Sequence, residues 1–351
     1  MSIVQKYKRK RVQNIVSKTM KAAVITHYKQ ATPSIKTVAM PTPQPTDVLV
    51  KIKAASINPI DLKTMAGGLK MLLSYQMPLI IGSDFAGEVV AVGADVTTLK
   101  VGDAVYGRPR KNRIGTFAEY LAVDATDIAL KPRNLSFKEA AAMPLVGLTS
   151  YQALHDILQI KPGQHVLIQA GAGGIGTVAI QLAKRLGAIV ATTTSPRNFD
   201  LVRKLGADRI IDYHTENFAD ALTDYDAVFD TLGGKSLEQA FSIVKPGGQV
   251  VSISGLPNAR FAKAYGLPRW KRTLFRLATH RLNHLEKQTQ VAYRFLFMWP
   301  SGTELAELTR LIEQEQLRPI IDRSFNFDEL NRALAYAKNG HARGKIILKI
   351  N

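Results

Sequence analysis

The sequence predicts an α/β chain in two parts, a β-rich part and a doubly wound parallel sheet. Three observations predict it. Between residues 20 and 130, short β-type runs alternate with turns rich in Gly and Asp. From about residue 163, apolar strand-like runs alternate with amphipathic helical ones. The first of these crossovers carries Gly171, Gly173 and Gly176 in the spacing of a phosphate-cradling turn.

In order along the chain, AAVITH and DVLVKIKAAS read as strands, joined through the proline-rich PTPQPT. GSDFAGEVVAVG, VGDAVYGR and GTFAEYLAV continue the β pattern, that of a partly closed all-β domain. SINPIDLK is read as a loop between strands. SFKEAAAMP and LTSYQALHDIL have helical spacing, with Ser136 as the N-cap. The βα alternation then runs through HVLIQ, TVAIQLAKRLGA, IVATTT, NFDLVRKLGA, RIIDY, AVFDTL, SLEQAFSIV and QVVSIS. YRFLFMW is expected to add a strand, TELAELTRLIEQ a helix, and KIILKI a closing strand.

The segment AGAGGIG follows a strand and opens a helix, as a dinucleotide fingerprint requires. One glycine permits the tight turn, one the approach of a pyrophosphate, and one the close packing of helix on sheet. The loop runs on through Gly174, Ile175 and Gly176, also expected to touch the cofactor, into the helix TVAIQLAKRLGA, whose N-terminus offers free N–H groups and a positive dipole end to phosphate. An NAD site carries an acid at the end of the second strand, about 20 residues on. Here that stretch reads IVATTTSPRN, with Ser195 and Arg197 in place of an acid. An acid would repel a 2′-phosphate, whereas Ser and Arg can bond one, so the cofactor is expected to be NADP(H). GGKS at 233–236 lacks the first glycine of an ATP-binding loop, because Phe229 stands there. His280 and His284 share a helix face, but no third ligand lies near, and a solvated face is the reading.

The 351 residues contain no cysteine, which excludes disulfides, thiolate zinc sites, iron–sulfur clusters and thiol nucleophiles, and fits a cytoplasmic, reducing compartment. No apolar stretch reaches spanning length. The net charge of +19 is concentrated in two places. Residues 1–19 hold six Lys and Arg and no acid; they are expected to be a flexible basic arm, with the domain starting at Met20. Residues 258–294 hold nine Lys and Arg against Glu286 alone.

Taken together, GSDFAGEVVAVG, KVGDAVYG, GTFAEYLAV, AGAGGIG, LGAD, IDY, DTLGG, KPGGQVVSISG and ARGKIIL resemble the medium-chain dehydrogenase/reductase superfamily from about residue 20 to the end. The resemblance implies a GroES-like β-rich catalytic domain over 20–146 and 317–351. It implies a Rossmann NADP(H)-binding domain over 147–316, with a basic helical insertion at about 258–290. The zinc-ligand positions of the alcohol dehydrogenases hold Asn58, Ser83 and Asp84 here, so no metal is expected. The loop Asn58-Pro59-Ile60-Asp61-Leu62-Lys63 is most similar to the zinc-free quinone and enone oxidoreductases, many of which have Tyr where Lys63 stands. That branch implies hydride transfer from NADPH to an enone, an alkenal or a quinone. Lys63 is the expected electrophilic donor, Tyr75 a pocket cap or proton donor, and Asn58 a neighbour of the nicotinamide. By the same resemblance Thr149, Ser195, Arg197, Tyr213, Ser254 and Lys345 join the glycine loop in holding the cofactor, and YRFLFMW is the strand that pairs across a homodimer. The alternatives are an NADPH-bound protein that engages RNA or membrane, and an enoyl-thioester reductase.

Within the insertion, Trp270, Leu274, Leu277 or Ala278, Leu282 and Leu285 follow one helical stripe. Such a stripe is expected to pack on its own domain or cover a substrate cleft. A basic amphipathic helix can also lie on an anionic membrane or meet a polyanion, which would add a peripheral membrane location. Specific nucleic-acid recognition is not expected, because no stacking aromatics interleave.

Overall fold

The computed structural model describes residues 18–350. Most of the basic segment 1–19 therefore lies outside the described residues. The described chain divides into two compact units. One runs to Leu148 and takes in Trp299–Glu315 and the chain from Pro319 on; the other is Thr149–Met298 with Gln316–Arg318.

In the first unit, β1 (Thr19–Ile25) pairs with β2 (Ser34–Ala39) and β4 (Leu79–Ile80) in a small sheet. The larger sheet is built around β3 (Asp47–Ile57). β5 (Asp84–Val92), β7 (Tyr120–Asp124) and β16 (Lys345–Lys349) all pair antiparallel to β3, while β6 (Ala104–Gly107), β8 (Ile128–Leu130) and β15 (Ile321–Asn326) extend the sheet. β3 is flanked on both edges and both faces, and its run of Val, Leu, Ile and Ala is buried almost throughout. Two registers position the site: Ser56 stands opposite Asp84, and Ile57 opposite Ile346. The starts of β5 and β16 thus meet the end of β3.

The segment read as a loop after β3 is helix α1 (Pro59–Met65). Asn58 is its N-cap, Pro59 occupies the first turn, and Asp61 accepts from the Asn58 N–H at 2.8 Å. These start signals were present in the sequence, but the short run lacks the periodicity that reveals a longer helix. Helix α2 (Phe137–Ala141) starts as expected at Ser136, whose hydroxyl accepts from the Glu139 N–H. Helix α3 (Pro144–Tyr151) carries the chain from one unit to the other.

The second unit holds six parallel strands: β9 (His165–Ile168), β10 (Ile189–Thr194), β11 (Arg209–Asp212), β12 (Tyr225–Asp230), β13 (Val244–Ser252) and β14 (Ala292–Phe295). Their order in the sheet is β11-β10-β9-β12-β13-β14. The order reverses between β9 and β12, and ligands of such sheets bind at the carboxyl ends of the strands at this switch point. Crossover helices are α4 (Gly174–Arg185), α5 (Phe199–Lys204), α6 (Phe218–Ala221) and α7 (Gly234–Ile243).

Two expectations are corrected. The segment 299–315, assigned to the nucleotide-binding part, groups with the first unit. Its helix, described as α11 (Gly302–Glu313), accepts the Tyr106 hydroxyl at the Leu305 carbonyl, 2.7 Å, and its Thr309 hydroxyl donates to Leu130. The stripe of the insertion is also not continuous. α8 (Ala259–Ala264), α9 (Arg269–Ala278) and α10 (His280–Thr289) are separate, and the break between the last two falls at Thr279, at φ −99° and ψ 16°. Leu282 enters the core and Leu285 packs against it, but Trp270, Leu274 and Leu277 face solvent. The remaining helix, α12 (Leu330–Lys338), covers β3 and β16 with Leu330, Ala333 and Leu334.

Candidate active site

In the first unit, the end of β3, the start of α1, the start of β5 and the start of β16 converge on a buried polar network. Asn58 is 1% exposed. Its amide N–H groups donate to the Ser56 carbonyl (3.2 Å) and to Asp84 Oδ2 (3.0 Å), and its Oδ1 accepts from Lys345 Nζ. Asp84 also accepts from the Ser56 hydroxyl (2.7 Å) and from the Leu145 N–H (2.9 Å), and its Oδ2 lies 3.5 Å from Lys345 Nζ. Asp61 takes the Ser83 hydroxyl at 2.6 Å. Two carboxylates and one ammonium are thereby held out of water with every oxygen bonded, the condition under which buried charge is tolerated.

Burial pushes the Asp61 carboxyl up to about 6, against the bonds from Ser83 and Asn58, and the charge of Asp84 adds to the rise. Burial pushes the Lys345 ammonium down, while Asp84 and Asp61 pull it back. Arg108, just after β6, is also buried; its Nη1 donates to the Pro109 carbonyl at 2.6 Å, and its Nε has no partner among the described residues. Beside it, burial and the Arg108 charge push Lys111 down to about 7.

Of the expected catalytic residues, Asn58 lies at the centre of this network with both ends of its amide engaged. Lys345, expected only as a cofactor contact, is the cation the structure brings to it. Lys63 is exposed on α1, and its ammonium has no ion pair or hydrogen bond among the described residues. Tyr75 is half-buried in the loop before β4; its hydroxyl donates to the Lys111 carbonyl at 2.8 Å and its N–H to the Tyr28 hydroxyl at 2.8 Å. Sequence reasoning gave no role to Asp61, Ser56 or Arg108. The acid three residues after Asn58 was the one signal that could have found Asp61.

A catalytic zinc, which many proteins of this architecture hold, does not fit. The donors at its position are the Asn58 amide, the Ser83 hydroxyl and Asp84, with no imidazole or thiolate among them. Each is committed to a neighbour, and the Lys345 ammonium stands where a second cation would be repelled. Among the described residues no three His, Cys, Asp or Glu side chains come together as a metal site.

In the second unit, Gly171 follows β9 and Gly173 caps α4. A Cβ on Gly171 would stand 2.1 Å from the Thr192 hydroxyl, and one on Gly176 would stand 2.4 Å from the Ala170 carbonyl. Only glycine lets helix and strand approach this closely. The start of α4 carries no side-chain cap, so the N–H groups of Gly174, Ile175 and Gly176 are free to face a ligand. The loop is braced by the Gly171 N–H on the Thr193 carbonyl and the Ala170 N–H on the Thr193 hydroxyl, both at 3.0 Å.

At the end of β10, Ser195 is buried and Arg197 is exposed, and no acid stands between them. Asn198 donates to the hydroxyls of Thr194 (3.3 Å) and Ser195 (3.2 Å), while its own buried Oδ1 has no partner among the described residues. Tyr213, just past β11, is exposed and lies against His214. Ser254 donates to the Thr231 carbonyl at 2.8 Å. Thr149 is buried at the end of α3. Asp230, which sequence reasoning did not single out, ends β12 and accepts from the Ser252 hydroxyl and from the Leu232 and Gly233 N–H groups. Burial pushes its carboxyl up. It fixes the turn that presents Thr231 to Ser254. A cradle closed to a Cβ at Gly171 and Gly176, an uncapped helix start at a switch point, and a second strand ending without an acid fit a 2′-phosphorylated dinucleotide.

Fold and site together define a nucleotide-binding oxidoreductase with a β-rich partner unit. Residues 44–133 match the alcohol dehydrogenase GroES-like domain, and residues 205–348 match a family described as zinc-binding dehydrogenase. The chain is 36% identical over 321 residues to the 2-methylene-furan-3-one reductase of Solanum lycopersicum, covering 89% of this chain and 74% of that protein. It is 33% identical to the chloroplastic NADPH-dependent alkenal/one oxidoreductase of Arabidopsis thaliana, with the same two shares, 89% and 74%. Among solved structures, the quinone oxidoreductase from Coxiella burnetii is 34% identical with a TM-score of 0.81, over 95% of this chain and 100% of that one. The chain belongs to the medium-chain dehydrogenase/reductase superfamily, in its branch of quinone and enone oxidoreductases.

Proposed function

We propose that this protein is a zinc-independent, NADPH-dependent reductase of the carbon–carbon double bond of α,β-unsaturated carbonyl compounds, or of quinones. The observation that carries the proposal is the glycine cradle beside a β10 end without an acid, in a chain whose zinc position is filled by an Asn–Asp–Lys network. Relatives that are enone, alkenal and quinone reductases support the substrate class.

The first turn of α4 would hold the pyrophosphate, and Ser195 and Arg197 the 2′-phosphate. Tyr213, Ser254 and Thr149 would bound the rest of the cofactor. When bound, the reduced nicotinamide supplies a hydride. Hydride addition at the β-carbon moves an electron pair onto the carbonyl oxygen, and that oxygen needs a donor. Lys63, exposed and unpaired, would serve as this donor. Asn58 and Lys345 would act by holding α1 and β16 in register rather than by touching the substrate. Tyr75 could release its hydroxyl proton only by giving up its bond to Lys111, and water is the simpler source for the α-carbon.

The test is absorbance at 340 nm with NADPH and with NADH against a short enone, an alkenal, a quinone and an enoyl thioester. Fast oxidation of NADPH, slow oxidation of NADH and a preference for one of the first three acceptors are expected. Tight NADPH binding without turnover on any acceptor would overturn the proposal. Lys63→Ala should lower turnover and leave NADPH affinity unchanged.

Among the described residues β14 lies at the edge of its sheet with one side unpaired, which supports a homodimer formed there. The cysteine-free composition supports a reducing, cytoplasmic location.

A further inference from the structure

Helix α9 is turned inside out. A surface helix normally buries its apolar stripe and shows its charges. In α9 the side facing the unit carries Phe275, which is buried, with Lys271 and Arg272 half-buried beside it. The opposite side carries Trp270, Leu274 and Leu277, which are 61%, 44% and 65% exposed. At 100° per residue these three fall on one ridge, within about 60° of each other. The orientation is fixed from below. Phe275 is buried, and the Arg272 Nε donates to the carbonyl of buried Leu267 at 2.7 Å.

Basic side chains rim the ridge. Arg269 and Arg276, both exposed, lie on one flank, with exposed Lys263 on the preceding helix. Lys263, Arg269 and Arg276 have no acidic partner among the described residues. Nine of the ten charged residues across 258–294 are basic. A second copy of this chain would bring the same positive rim against itself, so self-association through the ridge is opposed by charge. A nucleic acid would satisfy the rim but leave two leucines against phosphate. An anionic bilayer satisfies both parts: headgroups meet the arginines, and the Trp and Leu side chains enter the acyl boundary.

We infer that the ridge of α9 docks this protein on anionic lipid surfaces as an interfacial helix. No helix of the described residues is long and apolar enough to cross the membrane, so the attachment is to one face. This attachment is independent of the reductase chemistry.

The test uses the full chain carrying Trp299→Phe, which leaves Trp270 as the sole tryptophan. It is mixed with vesicles of phosphatidylcholine alone, or with roughly one-third phosphatidylserine. Sedimentation with the anionic vesicles, a blue shift of Trp270 emission and release by salt are expected. Leu274→Ser with Leu277→Ser should weaken partition by about tenfold or more, since both side chains are already in water in the free protein and their loss leaves the fold intact. Arg269→Gln with Arg276→Gln should weaken it on the anionic vesicles as well. Absence of both sedimentation and blue shift would overturn the inference. So would binding that the leucine pair does not change, which would assign attachment to charge alone, or a change of mass in lipid-free solution on substituting the leucines, which would make the ridge a protein interface. Retention on poly(U) that survives the leucine changes, without vesicle binding, would also overturn it in favour of a polyanion.

Discussion

Replacing Asp61 by Asn should make the protein more stable at pH 8 and no more stable at pH 4. The carboxyl is buried under Ser83 and the Asn58 N–H, and burial lifts it from 3.8 to about 6. The folded state therefore binds the Asp61 proton more tightly than the unfolded state. Well below pH 3.8 the group is protonated in both states and costs nothing. As pH rises from 3.8 to about 6, the unfolded chain ionises first, and folded stability falls. Above that window the loss is complete, at about 3 kcal/mol by the separation of the two values. Asn keeps the shape and cannot ionise. Its Oδ1 can take the Asn58 N–H, and the Ser83 hydroxyl can turn to accept from the amide. One amide N–H is left without a partner, at a cost of about 1 kcal/mol at every pH. The balance is a gain of about 2 kcal/mol at pH 8 and a loss of about half a kcal/mol at pH 4, where the unfolded carboxyl is already partly ionised. Urea unfolding followed by circular dichroism at both pH values measures it. A variant-minus-parent difference that is the same at pH 4 and pH 8 would refute the reasoning. It would mean that Lys345 and Asp84 leave the Asp61 charge without net cost.

Two further outcomes follow from the nucleotide-binding unit. Ser195→Asp places a carboxylate where the 2′-phosphate is proposed to sit, and should shift preference from NADPH toward NADH by about tenfold or more, read as the ratio of the two kcat/KM values. Gly176→Ala drives a Cβ to 2.4 Å from the Ala170 carbonyl, a backbone atom that cannot turn aside. It should cost about 1–3 kcal/mol of stability and weaken NADPH binding, seen as a lower melting temperature with a smaller upward shift on adding NADPH; an unchanged melting temperature would show that the helix can slide on the sheet.

Much of this protein was determined by local pattern. Alternation of strand and helix set the parallel sheet, because each buried strand and amphipathic helix has its own period. The glycines at 171, 173 and 176 announced their loop by their spacing, and at 171 and 176 only a residue without a side chain fits. The missing acid after β10 pointed to the 2′-phosphate, and Ser83 with Asn58 spoke against zinc through their donor atoms alone. What sequence could not give depends on partners far apart in the chain. Lys345 meets Asn58 across 287 positions because β16 pairs with β3 in one particular register. Lys63 was the lysine the motif favoured, yet the burial that changes ammonium chemistry falls on Lys345. The stripe of α9 and α10 read as one packed helix; the break at Thr279 turned its first half to solvent and its second half into the core. Periodicity tells which residues share a face. Only tertiary packing decides which way that face points, because the direction is set by whatever already fills the other side.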